Sequence, residues 1–161
     1  MAMAKIEASF KLKYIYLFSF VLFFDLGSKY FVSNNLNDSM TLLPILDLLL
    51  VKNTGIALSF LSDLEGIGKI ILSLFIAAAL VFIFFEIKKS QNHLQKFSLT
   101  LILAGGVGNY IERLFFGAVT DFLHLRVGDF SFFIFNFADL FITLGAILFA
   151  YKMFSKQKKY E

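Results

Sequence analysis

Four long apolar stretches divide this chain, and shorter, more polar segments separate them. A helix needs about 20 mainly apolar residues to cross a bilayer, and each stretch reaches about that length. We therefore predict transmembrane helices at approximately 14–32, 67–85, 97–115 and 135–154. No small-residue cleavage site follows the first stretch, so we expect it to stay in the protein and not to be removed as a signal peptide.

The two longer connections, approximately 40–66 and 117–134, contain short apolar runs that turn residues interrupt. Such runs predict β-strands, and Val127-Gly128-Asp129 predicts a hairpin turn between two of them. Unpaired strand edges cannot lie exposed in lipid. We therefore expect a small extracytoplasmic β-sheet at the outer membrane interface, with a short surface helix at Leu61–Lys69 beside it.

Composition assigns the chain to the membrane proteins. Hydrophobic residues make up 58% of its 161 residues, 23 are phenylalanine, and only 17% are charged, against about 25% in soluble domains. The fold class is thus a mainly α membrane protein, with four transmembrane helices and a small sheet in one integral membrane domain, 1–161. The absence of cysteine excludes disulfides, thiolate nucleophiles and thiol-bound metals.

Most lysines lie before the first stretch, between the second and third, and after the fourth, whereas the two long connections hold only Lys52 and Arg126 as basic residues. Because cytoplasmic segments of membrane proteins carry the excess of Lys and Arg, both termini should be cytoplasmic and both long connections extracytoplasmic. The same distribution explains the net charge of +3 without any nucleic-acid partner.

Polar side chains within the predicted spans collect at one depth, near the extracytoplasmic surface. An ionised side chain at the bilayer centre costs about 2.5–3.5 kcal/mol or more, so such residues are functional-site candidates. They are Asp25 and Lys29 in the first span, Asn109, Glu112 and Arg113 in the third, and Asn136 and Asp139 in the fourth.

Asp121 and Asp139 are the candidates for catalysis. A pair of acids without cysteine or a metal motif indicates aspartic chemistry at a membrane surface, in which two carboxyl groups share a proton and activate water. Asn136 stands three residues before Asp139, and a helix-capping role explains Asp139 equally well when it is considered alone. Together on one face, the two aspartates favour a site.

Several other polar or small residues have a structural interpretation. Asp25 and Lys29 are four apart on a helix, where they can neutralise each other, so they favour a structural or site-supporting role over a catalytic one. Ser28 and Lys29 are adjacent and point about 100° apart, which argues against a serine–lysine dyad. The glycines of AGGVG indicate close helix packing. Arg113 needs a carboxylate or a lipid phosphate as partner.

Five short motifs, in order along nearly the whole chain, resemble those of the lipoprotein signal peptidases (signal peptidase II), bacterial aspartic peptidases of the inner membrane. They are FDLGSK with Asp25 and Lys29, NTGIA with Asn53, Gly55 and Ala57, GGVGN followed by Arg113, VTDF, and FNFAD. Two residues depart from the family pattern: Glu112 stands where the family usually has aspartate, and Leu58 where it often has phenylalanine. Neither departure touches the dyad residues: Glu112 preserves the charge with a longer arm, and Leu58 alters an apolar wall.

The resemblance implies cleavage of a signal peptide before a cysteine that bears a diacylglyceryl group. It implies that Asp121 and Asp139 are catalytic, and it assigns the substrate-binding or site-supporting residues to Asn53, Gly55, Asn109, Arg113, Asn136 and Ala138. The expected partners are a lipid-modified prolipoprotein and membrane phospholipid. The expected protein is a monomeric, multi-pass protein of the bacterial cytoplasmic (inner) membrane, with no cofactor or metal.

Other functional classes remain open at this stage. A small polytopic transporter also needs intramembrane charges, but here the charges stop at one depth and no inverted repeat is evident. A membrane scaffold explains the glycines and leaves both aspartates without a role. A metalloprotease is poorly supported, because His93 lies in a basic inner loop, His124 is solitary and no HExxH motif occurs.

Overall fold

The computed structural model describes the backbone of residues 2–55 and 66–157, and the side chains of residues 12–55 and 66–155. Within these ranges, a helix is followed by two strands, two helices, two strands and another helix. The helices in these ranges are α1 (Ala2–Asn35), α2 (Ile67–Lys89), α3 (His93–Phe116) and α4 (Phe137–Gln157). The strands are β1 (Met40–Leu43), β2 (Leu46–Asn53), β3 (Val119–Val127) and β4 (Phe130–Phe135).

The mainly helical fold with a small sheet is confirmed. Among the described residues, three helices are long and apolar enough to cross a membrane, namely Leu12–Asn35 of α1, all of α2, and Phe137–Ser155 of α4. The third predicted span coincides with α3, whose crossing stays a prediction. The fourth predicted span, approximately 135–154, corresponds to α4, which begins at Phe137 because Phe135 ends β4.

Helix α3 lies at the centre and packs against α1, α2 and α4. Two glycines let α3 and α4 approach backbone to backbone. A Cβ atom on Gly105 of α3 would lie 2.6 Å from the carbonyl oxygen of Ala138, and one on Gly145 of α4 would lie 2.6 Å from that of Ser98. The AGGVG run therefore serves close packing, as the sequence indicates.

The strands form one antiparallel sheet in the order β1-β2-β3-β4. The hairpin predicted between β3 and β4 is present, with Val127 opposite Phe130 and Gly128 at φ 57° in the turn. The central pair joins distant segments, since β2 and β3 run alongside each other from Leu46↔Leu125 to Asn53↔Val119. The surface helix predicted at Leu61–Lys69 falls mostly outside the described residues, and α2 begins at Ile67.

The sheet is anchored to the helices by a cluster of buried apolar side chains. Val32 near the end of α1 packs with Phe122 and Leu123 of β3, and Phe137 at the start of α4 lies against them. Within the sheet, an ion pair also joins β2 to β3. The Arg126 guanidinium donates to the Asp47 carboxylate and holds the pKa of Asp47 below its usual range.

Gly105→Ala should destabilise the protein, because the new methyl group meets the backbone of α4, which cannot rotate away. Overpacking of this kind costs about 1–3 kcal/mol. Gly27→Ala is the matched control, since a Cβ there meets nothing within 4 Å and alanine favours a helix. Thermal unfolding in detergent measures both variants, and equal unfolding temperatures would contradict this account of the α3–α4 contact.

Candidate active site

A cavity of about 700 Å³ opens where β2 and β3 meet the end of α3 and the start of α4. Its wall is largely apolar, with side chains such as Ile76, Leu125, Phe133 and Ile142. Most of its polar residues are those predicted from the sequence: Asn53, Asn109, Arg113, Asp121 and Asp139. The structure therefore brings both candidate aspartates to one cavity.

Asp121 is buried in β3 and is held by two side-chain amides. Its Oδ2 accepts a hydrogen bond from Asn53 Nδ2 at 2.8 Å, and its Oδ1 accepts one from Asn136 Nδ2 at 2.7 Å. Burial raises the pKa of the Asp121 carboxyl above its ordinary value, and the nearby Asp139 raises it further, against the opposing effect of the two amides. Asp121 therefore holds its proton more tightly than a carboxyl group in water.

Asp139 lies in the first turn of α4, where Asn136 caps the helix. Asn136 Oδ1 accepts the Asp139 N–H at 3.0 Å, and Asp139 Oδ2 accepts the Asn136 N–H at 3.1 Å. This reciprocal arrangement is a capping box. The second oxygen, Asp139 Oδ1, accepts a hydrogen bond from Asn109 Nδ2 at 2.9 Å, so both oxygens of each aspartate are hydrogen-bonded.

Asn136 joins the two aspartates. Its side-chain oxygen and backbone N–H bind Asp139, and its side-chain Nδ2 binds Asp121. The residue is fully buried, so its orientation is fixed by these bonds. The residue that caps α4 together with Asp139 is thus also the residue that binds Asp121.

Asp25 and Lys29 form the predicted ion pair and lie behind the cavity. The Lys29 ammonium contacts Asp25 Oδ2 at 2.7 Å and also donates to Asn109 Oδ1 at 2.6 Å, which directs the Asn109 amide nitrogen toward Asp139. Asp25 Oδ1 accepts the Ala138 N–H at 2.9 Å, satisfying a free donor at the start of α4. Ser28 instead donates to the Asp25 carbonyl.

Asn53 and Gly55 are held together at the end of β2. Asn53 Oδ1 accepts the Gly55 N–H at 3.0 Å, which turns its Nδ2 toward Asp121. Arg113 donates to the Gly55 carbonyl oxygen, where a carboxylate or phosphate partner was expected. The expected carboxylate partners are nearby, since the Arg113 charge also interacts with the Asp121 and Asp139 carboxyl groups at the same cavity. Ala57 and Leu58 lie outside the described residues.

Two residues beside the site, Thr120 and Lys52, were not predicted from the sequence. Thr120 is fully buried and binds Glu112, while Lys52 Nζ donates to its hydroxyl at 2.7 Å. The only cue was a polar residue inside an apolar strand.

Both histidines lie elsewhere, with His93 near Tyr14 and His124 bonded to Ser131. In the described ranges, no group of His, Asp and Glu could hold a metal ion.

The fold and the site define a class: a polytopic membrane enzyme with paired carboxyl groups at a mostly apolar cavity. A bacterial membrane enzyme determined by the in meso method at 2.3 Å resolution has a similar fold, with a TM-score of 0.76 and 30% identity over 92% of each chain. A second such structure, at 1.9 Å resolution, has a TM-score of 0.71 and 31% identity, covering 88% of this chain and 92% of the other.

Sequence comparison identifies the family. The model described as signal peptidase (SPase) II matches residues 17–155. The lipoprotein signal peptidase of Pasteurella multocida (strain Pm70) is 38% identical over 139 residues, 84% of each protein. That of Escherichia coli O157:H7 is 37% identical over 155 residues, 92% of this chain and 94% of the relative. The chain belongs to the signal peptidase II family, the bacterial membrane peptidases that process lipoproteins.

Lys29→Met should destabilise the protein strongly, because it leaves Asp25 buried without its cation. Removing one partner of a buried ion pair costs about 3–5 kcal/mol. The matched control is Lys89→Met, which breaks an exposed pair with Glu86 at 3.2 Å and should change little, because exposed pairs contribute little. Thermal unfolding in detergent compares the two, and equal stability would contradict a structural role for the buried pair.

Proposed function

We propose that this chain is an aspartic endopeptidase that removes the signal peptide from diacylglyceryl-modified prolipoproteins. It cleaves before the lipidated cysteine, and Asp121 and Asp139 activate the water that attacks. The observation that carries this proposal is the contact of Asn136 with both aspartates at one cavity. Membership of the signal peptidase II family supports the substrate and the bond that is cut.

Two nearby carboxyl groups share one proton more readily than they both ionise. We assign the proton to Asp121, because burial raises its pKa. Asp139 is the anion, because it accepts the Asn136 N–H in the first turn of α4, where the helix dipole favours negative charge. The dyad then contains one acid and one base before substrate arrives.

The proposed reaction proceeds without a covalent intermediate. Asp139 takes a proton from water as the water oxygen bonds to the scissile carbonyl carbon, and Asp121 gives its proton to the carbonyl oxygen. The tetrahedral intermediate returns that proton to Asp121 as the C–N bond breaks. Asp139 protonates the leaving nitrogen, so both carboxyl groups end in their starting states.

The remaining site residues hold the dyad and the peptide. Asn53 and Asn109 orient one aspartate each through neutral amides. Arg113 and Gly55 stabilise the cavity rim by their mutual hydrogen bond. Ala138 N–H ties the start of α4 to the Asp25–Lys29 pair, which supports the site without contacting the reacting atoms.

The same proposal includes an arrangement in the membrane. All four helices cross the bacterial inner membrane in a single domain, 1–161, as a monomer with both termini cytoplasmic. The packing of α3 among the three apolar helices supports its crossing. The sheet lies at the extracytoplasmic interface, which is supported by exposed apolar side chains on it, such as Ile45, Phe130 and Phe132. The lipid of the substrate stays in the bilayer against the apolar cavity wall.

Asp121→Asn and Asp139→Asn should each abolish cleavage of a lipid-modified precursor peptide, because an amide can neither supply nor accept the transferred proton. Asp129→Asn is the matched control, since Asp129 lies exposed in the turn of the same hairpin as Asp121, and it should cleave at the wild-type rate. The assay is run on purified protein with and without a chelator. Turnover by either dyad variant would refute the mechanism.

The same preparations separate the other classes. Cleavage that resists the chelator argues against a metalloprotease, and ion or solute flux across proteoliposomes without cleavage would favour a transporter. Unchanged thermal unfolding of the two dyad variants is needed, so that loss of cleavage reports chemistry and not loss of the fold.

Phe130→Trp should give a fluorescence signal that brominated lipids quench, because the proposal places the exposed β4 edge in the interface. The chain has no natural tryptophan, so the signal is unique. Phe82→Trp, on the exposed face of α2, provides a reference inside the hydrocarbon. Bromine near the headgroups should quench position 130 most and bromine deep in the chains should quench position 82 most. No quenching at position 130 would place the sheet in water.

A further inference from the structure

Glu112, in the last turns of α3, directs both carboxylate oxygens at one residue of β3. Its Oε2 accepts the Thr120 N–H at 2.8 Å, and its Oε1 accepts the Thr120 hydroxyl at 2.6 Å. Both residues are buried, and Thr120 has no exposed surface. A buried carboxylate with two hydrogen bonds to one residue is a rigid link, and that residue immediately precedes Asp121.

Thr120 lies beyond the part of β3 that pairs with β4, which begins at Leu123. The Glu112 carboxylate therefore holds this end of β3 where β4 does not reach it. Two ammonium groups complete the arrangement. Lys52 Nζ donates to the Thr120 hydroxyl at 2.7 Å, and Lys29 Nζ lies 3.5 Å from Glu112 Oε2.

The link acts from the side of the strand opposite to the cavity. In the β2–β3 ladder, Lys52 is opposite Thr120 and Val51 is opposite Asp121. Successive side chains of a strand point to opposite faces, so Thr120 points away from the face on which Asp121 meets Asn53. Glu112 does not line the cavity, and a substrate bound there would not touch it.

We propose that Glu112 is a positioning residue for peptide hydrolysis. Its double hydrogen bond to Thr120 fixes the end of β3 and so keeps the Asp121 carboxyl group in position relative to that of Asp139. This inference rests on the proposed function. Because the aspartates sit on different elements, β3 and α4, their separation depends on contacts such as this one. A displacement of about 1 Å in a reacting group can cost about 100-fold in rate, so the effect falls on kcat.

The first test compares three substitutions of Glu112 in the cleavage assay. Glu112→Asp keeps the charge and can keep one bond to Thr120, so kcat should stay within about threefold of wild type. Glu112→Gln places an NH₂ group against a Thr120 donor, and kcat should fall about tenfold; Glu112→Ala loses both bonds, and kcat should fall about 100-fold. KM should stay near wild type throughout. Glu86→Gln, a surface glutamate on α2, is the control and should change neither.

The second test is a double-mutant cycle on kcat between Glu112→Gln and Thr120→Val. If Glu112 acts through Thr120, the loss caused by Glu112→Gln should be at least about threefold smaller in the Thr120→Val background than in the wild type. Thr120→Val removes only the hydroxyl, so it carries the test alone if the Glu112 variants do not fold, with an expected fall in kcat of about threefold to tenfold.

Three results would overturn the inference. Wild-type kcat in Glu112→Gln with a lowered unfolding temperature would make the link structural only. A rise in KM at constant kcat would place Glu112 in substrate binding. Additive effects with Thr120→Val, together with coupling to Lys29→Met, would show that Glu112 acts through Lys29. Absence of cleavage by the wild type is a separate result, which refutes the proposed function and not this link.

Discussion

The cap of α4 is the interaction on which the site depends. Asn136 closes the first turn of the helix by exchanging hydrogen bonds with Asp139, and its side-chain amide nitrogen donates to Asp121 on the neighbouring sheet. A helix start always leaves N–H groups that need acceptors. Here Asp139 and Asp25 provide two of those acceptors, so the local requirement of the helix and the position of the carboxyl groups are met by the same bonds.

The charged side chains around this cap contact one another, while the two aspartates accept hydrogen bonds from neutral groups. Lys29 contacts Asp25 and Asn109 and lies near Glu112, whereas the groups that bind the two aspartates at the cavity are neutral amides. A buried charge requires a partner, and the pair on α1 meets that requirement at a distance from the dyad. The aspartates are therefore oriented by uncharged amides, while Arg113 and Lys29 act on them through space without a direct hydrogen bond.

Much of the fold could be predicted from local pattern. The apolar stretches located α1, α2 and α4, and the Gly128 turn located the β3–β4 hairpin, because helix and hairpin signals depend on residues close in sequence. The boundary between β4 and α4 could be placed only approximately in this way, since Phe135 continues an apolar run into α4. The pairing of β2 with β3 joins segments on either side of two helices, and no local signal records it.

The site shows the same division between what local sequence predicts and what long-range packing decides. The sequence by itself determined which residues are polar inside apolar segments: Asp25, Lys29, Asn109, Asp121, Asn136 and Asp139 were all evident, because a charge or amide in such surroundings is costly and therefore conspicuous. Only the tertiary structure decided which atoms meet. It turned Arg113 to the Gly55 carbonyl, placed Thr120 against Glu112, and gave Asn136 two partners. Whether a hydrogen bond forms depends on differences of a few tenths of an ångström in atomic position. Those positions are set by the packing of the whole chain.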